Sequence, residues 1–160
     1  MSAFMTPTVL LIITTVLYAG YNVFVKASGN AVPDTAQTTV AATMMLQVAA
    51  LTTSALFAFV LWNRGVTEFH LGTTAIVWAV VAGVCIGGAE IAYLYLFGGV
   101  NGHPPMSAAL AVPVIVSGTI VIALIASIAA FREPVAWNQI AGAFLIIVGI
   151  VVMFHGRRAV

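Results

Sequence analysis

An all-α polytopic membrane protein with five transmembrane helices is the fold class this sequence predicts, and three observations predict it. The 160 residues are 62% hydrophobic and only 6% charged, with a mean hydropathy of +1.16, more apolar surface than a soluble domain of this size can bury. The apolar residues fall into five runs, each near or above the ~20 residues a helix needs to cross a bilayer: Pro7 to Val25, Val40 to Trp62, Thr73 to Val100, Met106 to Phe131 and Val135 to Phe154. The connections between them are short, so none holds a soluble domain. The whole chain, 1–160, reads as one transmembrane domain.

Local signals place each element. Thr6 followed by Pro7 reads as an N-cap and first helical residue. No Lys or Arg precedes the first run, and it is too long for the apolar core of a signal peptide. It therefore reads as a span, with cleavage near Ala27 as the alternative. After the connection from Lys26 to Thr39, Asp34 is the expected cap of the second helix. Gly98, Gly99, Asn101 and Gly102 end the third, and Pro104 and Pro105 open the fourth. Glu133 before Pro134 is expected to set a negative charge at the start of the fifth. Trp62 and Trp137 fall at interfaces, where an amphipathic ring is favoured.

Charge bounds both partners and topology. A net charge of +1, with no basic cluster beyond Arg157 and Arg158, excludes nucleic acid as a partner, since phosphate binding needs several cations on one face. The lone Cys85 allows no intrachain disulfide and reads as a small buried apolar residue. Five spans would put the termini on opposite sides. The amino-terminal side then holds Arg64 and Arg132, and the other side Lys26, Arg157 and Arg158. Two cations against three give almost no orientation bias. The expectation is a dual-topology protein that pairs with an inverted copy of itself.

The third run carries one charge, Glu90, well inside it, about 6 Å past the helix midpoint at 1.5 Å per residue. The same count on the other helices finds Tyr18 and Asn22, Met44 and Gln47, Pro113 and Ser117, and Gly149 at that depth. On the first helix Thr14, Tyr18, Asn22 and Lys26 recur every four residues, and on the second Thr43, Gln47 and Ser54 share a face. Isolated Thr, Ser and Gln residues read first as hydrogen-bonded glue within or between helices, whereas the stripe on the first helix, which ends in a cation, reads as cavity lining. Intramembrane ionisable groups mark pathways, so Glu90 is a candidate site for a proton or for a cationic group of a substrate. Tyr93 is its aromatic neighbour, and Lys26 its possible counter-ion. Pro113 removes a backbone hydrogen bond and is expected to kink the fourth helix. Ala75, Ala79, Gly83 and Gly87 on the third helix, and Gly142 and Gly149 on the fifth, are small-residue packing faces, more readily used within the chain than between subunits.

Three stretches carry a resemblance: YNVFVK at 21–26, the segment from Tyr93 through LAVPVIVSG, and FREPVAWNQIAGAFLIIVGIVVM from Phe131 to Met153. They resemble the repeat unit of the drug/metabolite transporter superfamily, EamA type. Pro113, Glu133, Gly142, Leu145, Ile146 and Gly149 hold the places of its Pro-Val, its turn glutamate and its glycine-spaced fifth helix. The resemblance implies one half of an inverted-repeat transporter, ten helices in two five-helix repeats around a midplane site. It also implies export or exchange of small metabolites or drugs by alternating access. It does not supply Glu90, because an acidic residue there lies outside the family pattern. The small multidrug resistance relatives carry their carboxylate on the first helix, where this chain has Tyr18 and Asn22.

Other chemistry is not indicated. His70, His103 and His155 lack metal-ligand spacing. No nucleophile triad, phosphate loop or paired carboxylate occurs, so neither an enzyme nor a cofactor is expected. The expected partners are the lipid bilayer, an inverted copy and a small-molecule substrate, in a prokaryotic inner membrane. Candidate lining residues are Tyr18, Asn22, Gln47, Glu90, Tyr93 and Ser117, with Lys26 near the mouth. The alternatives are obligate pairing with a different five-helix chain, and a non-transporting assembly or lipid-handling subunit.

Overall fold

The structure, a computed structural model, describes residues 7–33, 35–68, 70–99 and 102–155. It contains five helices: α1 (Pro7–Ala31), α2 (Ala36–Asn63), α3 (Thr73–Gly98), α4 (Ala108–Ala129) and α5 (Trp137–His155). No strand occurs among the described residues. Each helix is long and apolar enough to cross a bilayer, since 19 residues already rise ~28 Å. The chain is therefore a multi-pass membrane protein. Its helices fall into two units, α1–α3 up to Pro105 and α4–α5 from Met106.

Several ends differ from the sequence expectation, each for a local reason. α1 continues past Val25 to Ala31, so Lys26 is a helical residue and not part of a loop. The helix stops where Pro33 bars the helical conformation to Val32, and the Val32 amide still donates to the Ser28 carbonyl at 3.0 Å. The cap of α2 is Thr35, whose hydroxyl accepts from the Thr38 amide at 3.3 Å. Asp34, the expected cap, lies outside the described residues, as do Thr6, Asn101, Arg157 and Arg158. α4 begins at Ala108, after Ser107 in extended conformation (φ −71, ψ 140), so Pro104 and Pro105 precede the helix and do not open it.

α5 likewise starts at Trp137, with no acidic residue in its first turn. Glu133 therefore does not charge that turn. The helix is capped instead by Gln139, whose Oε1 accepts from the Ala136 amide at 2.7 Å, the reciprocal half of a capping box. Glu133 belongs to the end of α4: Arg132 takes a left-handed conformation (φ 53), and the Glu133 amide reaches back to the Ser127 carbonyl at 2.9 Å.

Within the first unit α3 is central, with α1 and α2 both packed on it. Contacts between α1 and α3 keep a sequence separation of 69 to 71, which two parallel helices in steady register require. α2 runs the other way: Tyr95 Oη donates to the Ala36 carbonyl at 3.4 Å, while Gln47 lies beside Gly87, two turns earlier on α3. The buried residues are Val25 and Gly29 on α1, Thr39 and Thr43 on α2, and Glu90, Tyr93, Leu94 and Phe97 on α3. All lie in one half of the three helices.

Glycine sets that closeness. A Cβ on Gly29 would stand 2.7 Å from Phe97 Cβ, and one on Gly98 would stand 3.2 Å from the Gly29 carbonyl oxygen. α1 and α3 therefore meet almost backbone to backbone, as small residues permit between membrane helices. Gly99 ends α3 at φ 90 with its amide on the Tyr95 carbonyl.

In the second unit α4 and α5 pack on each other. α4 runs unbroken through Pro113, whose ring nitrogen cannot donate to the Ala109 carbonyl. The Ser117 hydroxyl donates to the Pro113 carbonyl. Leu110, Ala111 and Ser117 are buried on α4 and Ala143 on α5.

Candidate functional site

The contact between α1 and α3 assembles a polar and aromatic cluster inside the apolar spans. Along α1 the residues turned to α3 are Tyr21, Asn22, Val25, Lys26 and Gly29, spaced as one face of a 3.6-residue helix. Along α3 the matching residues are Glu90, Tyr93 and Phe97, spaced by three and four. These periods, met in parallel, stack three polar pairings in order along the axis.

Glu90 is buried, with only 5% of its surface exposed. Its Oε2 accepts a hydrogen bond from the Tyr21 hydroxyl. One turn on, the Tyr93 hydroxyl donates to Asn22 Oδ1 at 2.6 Å, and Asn22 Nδ2 donates to the Tyr18 carbonyl at 2.9 Å. One more turn on, Lys26 Nζ donates to the Phe97 carbonyl at 3.3 Å and stands 5.1 Å from the Phe97 ring centroid. That carbonyl lies in the last turn of α3, where the helix lacks its own donors, and a cation there also meets the negative end of the helix dipole.

This geometry corrects the expected role of Lys26. Phe97 lies two turns beyond Glu90, about 10 Å along the axis, and Lys26 closes the end of α3 instead of neutralising Glu90. The partner of the carboxylate is Tyr21. Tyr21 lies off the four-residue stripe Thr14, Tyr18, Asn22 and Lys26 that the sequence presents. Only Asn22 and Lys26 of that stripe reach α3; Tyr18 is 62% exposed and Thr14 is exposed. The signal that finds Tyr21 is the pairing of Tyr21-Asn22 with Val25-Lys26 and Gly29, a polar, small-residue face one residue off the stripe.

Aromatic rings wrap the polar pairings. Tyr21 and Tyr93 stack at 6.3 Å between centroids with 23° between planes, and Tyr18 meets Tyr21 edge-on at 6.3 Å and 79°. Tyr93 packs on Phe97 at 4.6 Å. Such offset and edge-on contacts suit the ring quadrupoles. Gln47 is largely exposed but lies against α3, since a Cβ on Gly87 would come within 3.1 Å of its Nε2.

Other candidate residues are placed elsewhere. Ser117 and Pro113 belong to the second unit and are tied to each other. Ala75, Ala79 and Gly83, expected to pack chiefly within the chain, are exposed, and Gly83, Gly142 and Gly149 have open space where a Cβ would stand. Cys85, expected to be buried, is exposed. Thr52, Thr53 and Ser54 return their hydroxyls to carbonyls of their own helix, four residues back. Among the described residues no group of three His, Cys, Asp or Glu lies together. The chain matches no protein-family model, no curated protein and no solved structure.

Proposed function

We propose that this chain is a small-molecule membrane transporter, an exporter or exchanger of a metabolite or drug-like compound, that works by alternating access as an antiparallel, dual-topology homodimer. The observation that carries the reading is Glu90: a carboxylate 95% withdrawn from the surface inside a spanning helix, held by a tyrosine of the neighbouring helix. Burying such a group costs several kcal/mol unless it is paired or kept protonated. Membrane proteins tolerate that cost chiefly where a proton or a charged substrate group uses the site. The near-equal cation counts on the two sides support insertion in both orientations, and the resemblance to a single EamA-type repeat supports an inverted partner.

Flux into liposomes under a pH gradient tests this, with the wild type set against Glu90→Gln. The glutamine can still accept from Tyr21 and preserves the helix contact, so the variant isolates the charge. Proton-coupled uptake is expected to fall at least about tenfold; unchanged and still pH-dependent transport overturns the reading. A second reading is favoured by the same hydrogen bond, because a latch between α1 and α3 also suits a non-transporting assembly subunit. That reading expects no flux from the wild type. A stable purified homodimer disfavours pairing with a different five-helix chain.

A further inference from the structure

The direction of every hydrogen bond around Glu90 restricts what can sit there. A tyrosine hydroxyl has one proton to give. Tyr21 gives its proton to Glu90 Oε2, and Tyr93 gives its own to Asn22 Oδ1. Asn22 commits one Nδ2 hydrogen to the Tyr18 carbonyl. Glu90 has no other partner among the described residues, so Oε1 accepts nothing from them. No side-chain oxygen among the described residues is both sealed and unpartnered, so Oε1 opens outward from an otherwise buried side chain. Apart from the second Asn22 hydrogen and the hydroxyl of the exposed Tyr18, the cluster offers only acceptors: carboxylate Oε1 and the phenol oxygens. Around them lie the exposed ring of Tyr18 and the part-exposed ring of Tyr21.

We infer that the ligand of this site is an organic cation carrying N–H donors, a protonated amine or amidine on an apolar frame. Its nitrogen donates to Glu90 Oε1 and its frame lies along the Tyr18 and Tyr21 rings. A charge-assisted N–H bond to a carboxylate is about twice as strong as a neutral one, and a cation on an aromatic face adds to it. An anion finds like charge and only two neutral donors, the Tyr18 hydroxyl and one Asn22 hydrogen. A quaternary cation finds the rings but leaves Oε1 without a hydrogen bond. Transport of this ligand rests on the transporter reading; its binding does not.

Calorimetry on the full chain in nanodiscs, with three probes of similar size, tests this: phenethylammonium, its N-trimethyl analogue and phenylpropionate. Phenethylammonium is expected to bind at least about tenfold tighter than the trimethyl analogue, the equivalent of one charge-assisted hydrogen bond, and phenylpropionate not at all. Glu90→Gln is expected to lose at least about tenfold in phenethylammonium affinity, while Glu90→Asp, which keeps the charge, retains most of it. No phenethylammonium binding to the wild type overturns the inference. Equal binding of phenylpropionate, or unchanged affinity in a correctly folded Glu90→Gln, does so as well. Ammonium binding without flux in liposomes removes the transporter reading and leaves this site standing; flux of an anion without ammonium binding does the reverse.

Discussion

The two halves of the α1–α3 unit are built from opposite materials. In the half that holds Glu90, the buried residues are Thr39, Thr43, Glu90, Tyr93 and Gly29, with Val25, Leu94 and Phe97 between them. In the other half Leu17, Leu51, Phe57, Trp78 and Val84 all lie 60% exposed or more. A soluble protein would reverse this arrangement. In a bilayer, lipid tails solvate leucine as well as another helix does, so apolar side chains gain little by packing together. What draws helices together is a hydrogen bond that lipid cannot offer, and glycine that lets two backbones touch. The lesson is that this chain is folded by its polar and smallest residues.

The strongest way to break that contrast is Gly29→Leu. A side chain there meets Phe97 Cβ at 2.7 Å and the Phe97 backbone at 3.2 Å, contacts that cannot yield without separating α1 from α3. The expected loss is about 3 kcal/mol, at the upper end for overpacking, read as a lower midpoint in denaturing-detergent titration. A shift under about 0.5 kcal/mol would show that the glycine contact is not what holds these helices.

Tyr93→Phe is gentler. It deletes the 2.6 Å bond to Asn22 and keeps the ring on Phe97. Hydrogen bonds between membrane helices average about 0.6 kcal/mol and reach about 1.7, and a double-mutant cycle with Asn22→Ala should return a coupling in that range. No coupling would mean the two side chains do not support each other.

The smallest effects belong to the exposed half. Gly83→Leu enters open space, and Ser54→Ala removes a hydroxyl bonded only to its own helix at 3.2 Å. Each should stay within about 0.5 kcal/mol in the same titration. A large loss for Gly83→Leu would mean that this face of α3 packs against another chain, and would join the two halves into one packed assembly.

Much of the fold was legible in the chain because it depends on local quantities. Hydropathy and run length locate all five spans, and Gly98-Gly99 ends the third by its own backbone limits, whereas the end of α1 before Pro33 lies beyond the apolar run that marks the span. Helix starts were less legible: Thr35 does the capping expected of Asp34, and Gln139 caps α5 where Glu133 was expected to supply charge, because both depend on which residue stands at the first helical turn. The candidate site was half legible. Glu90 stands out from any hydropathy trace, Asn22 follows from counting depth, and Tyr93 from its place three residues along the same helix. Tyr21 was not, since choosing its face over that of Tyr18 depends on where α3 lies.

The sequence by itself therefore determined a five-span membrane protein with one costly carboxylate inside its third helix, because length, hydropathy and burial cost are properties of a single segment. Only the tertiary structure decided that Tyr21 holds that carboxylate, that Lys26 closes the end of α3 instead, and that one carboxylate oxygen stays open. Those outcomes depend on the register of two parallel helices, and that register follows from Gly29 and Gly98 touching across a distance no one-dimensional pattern records.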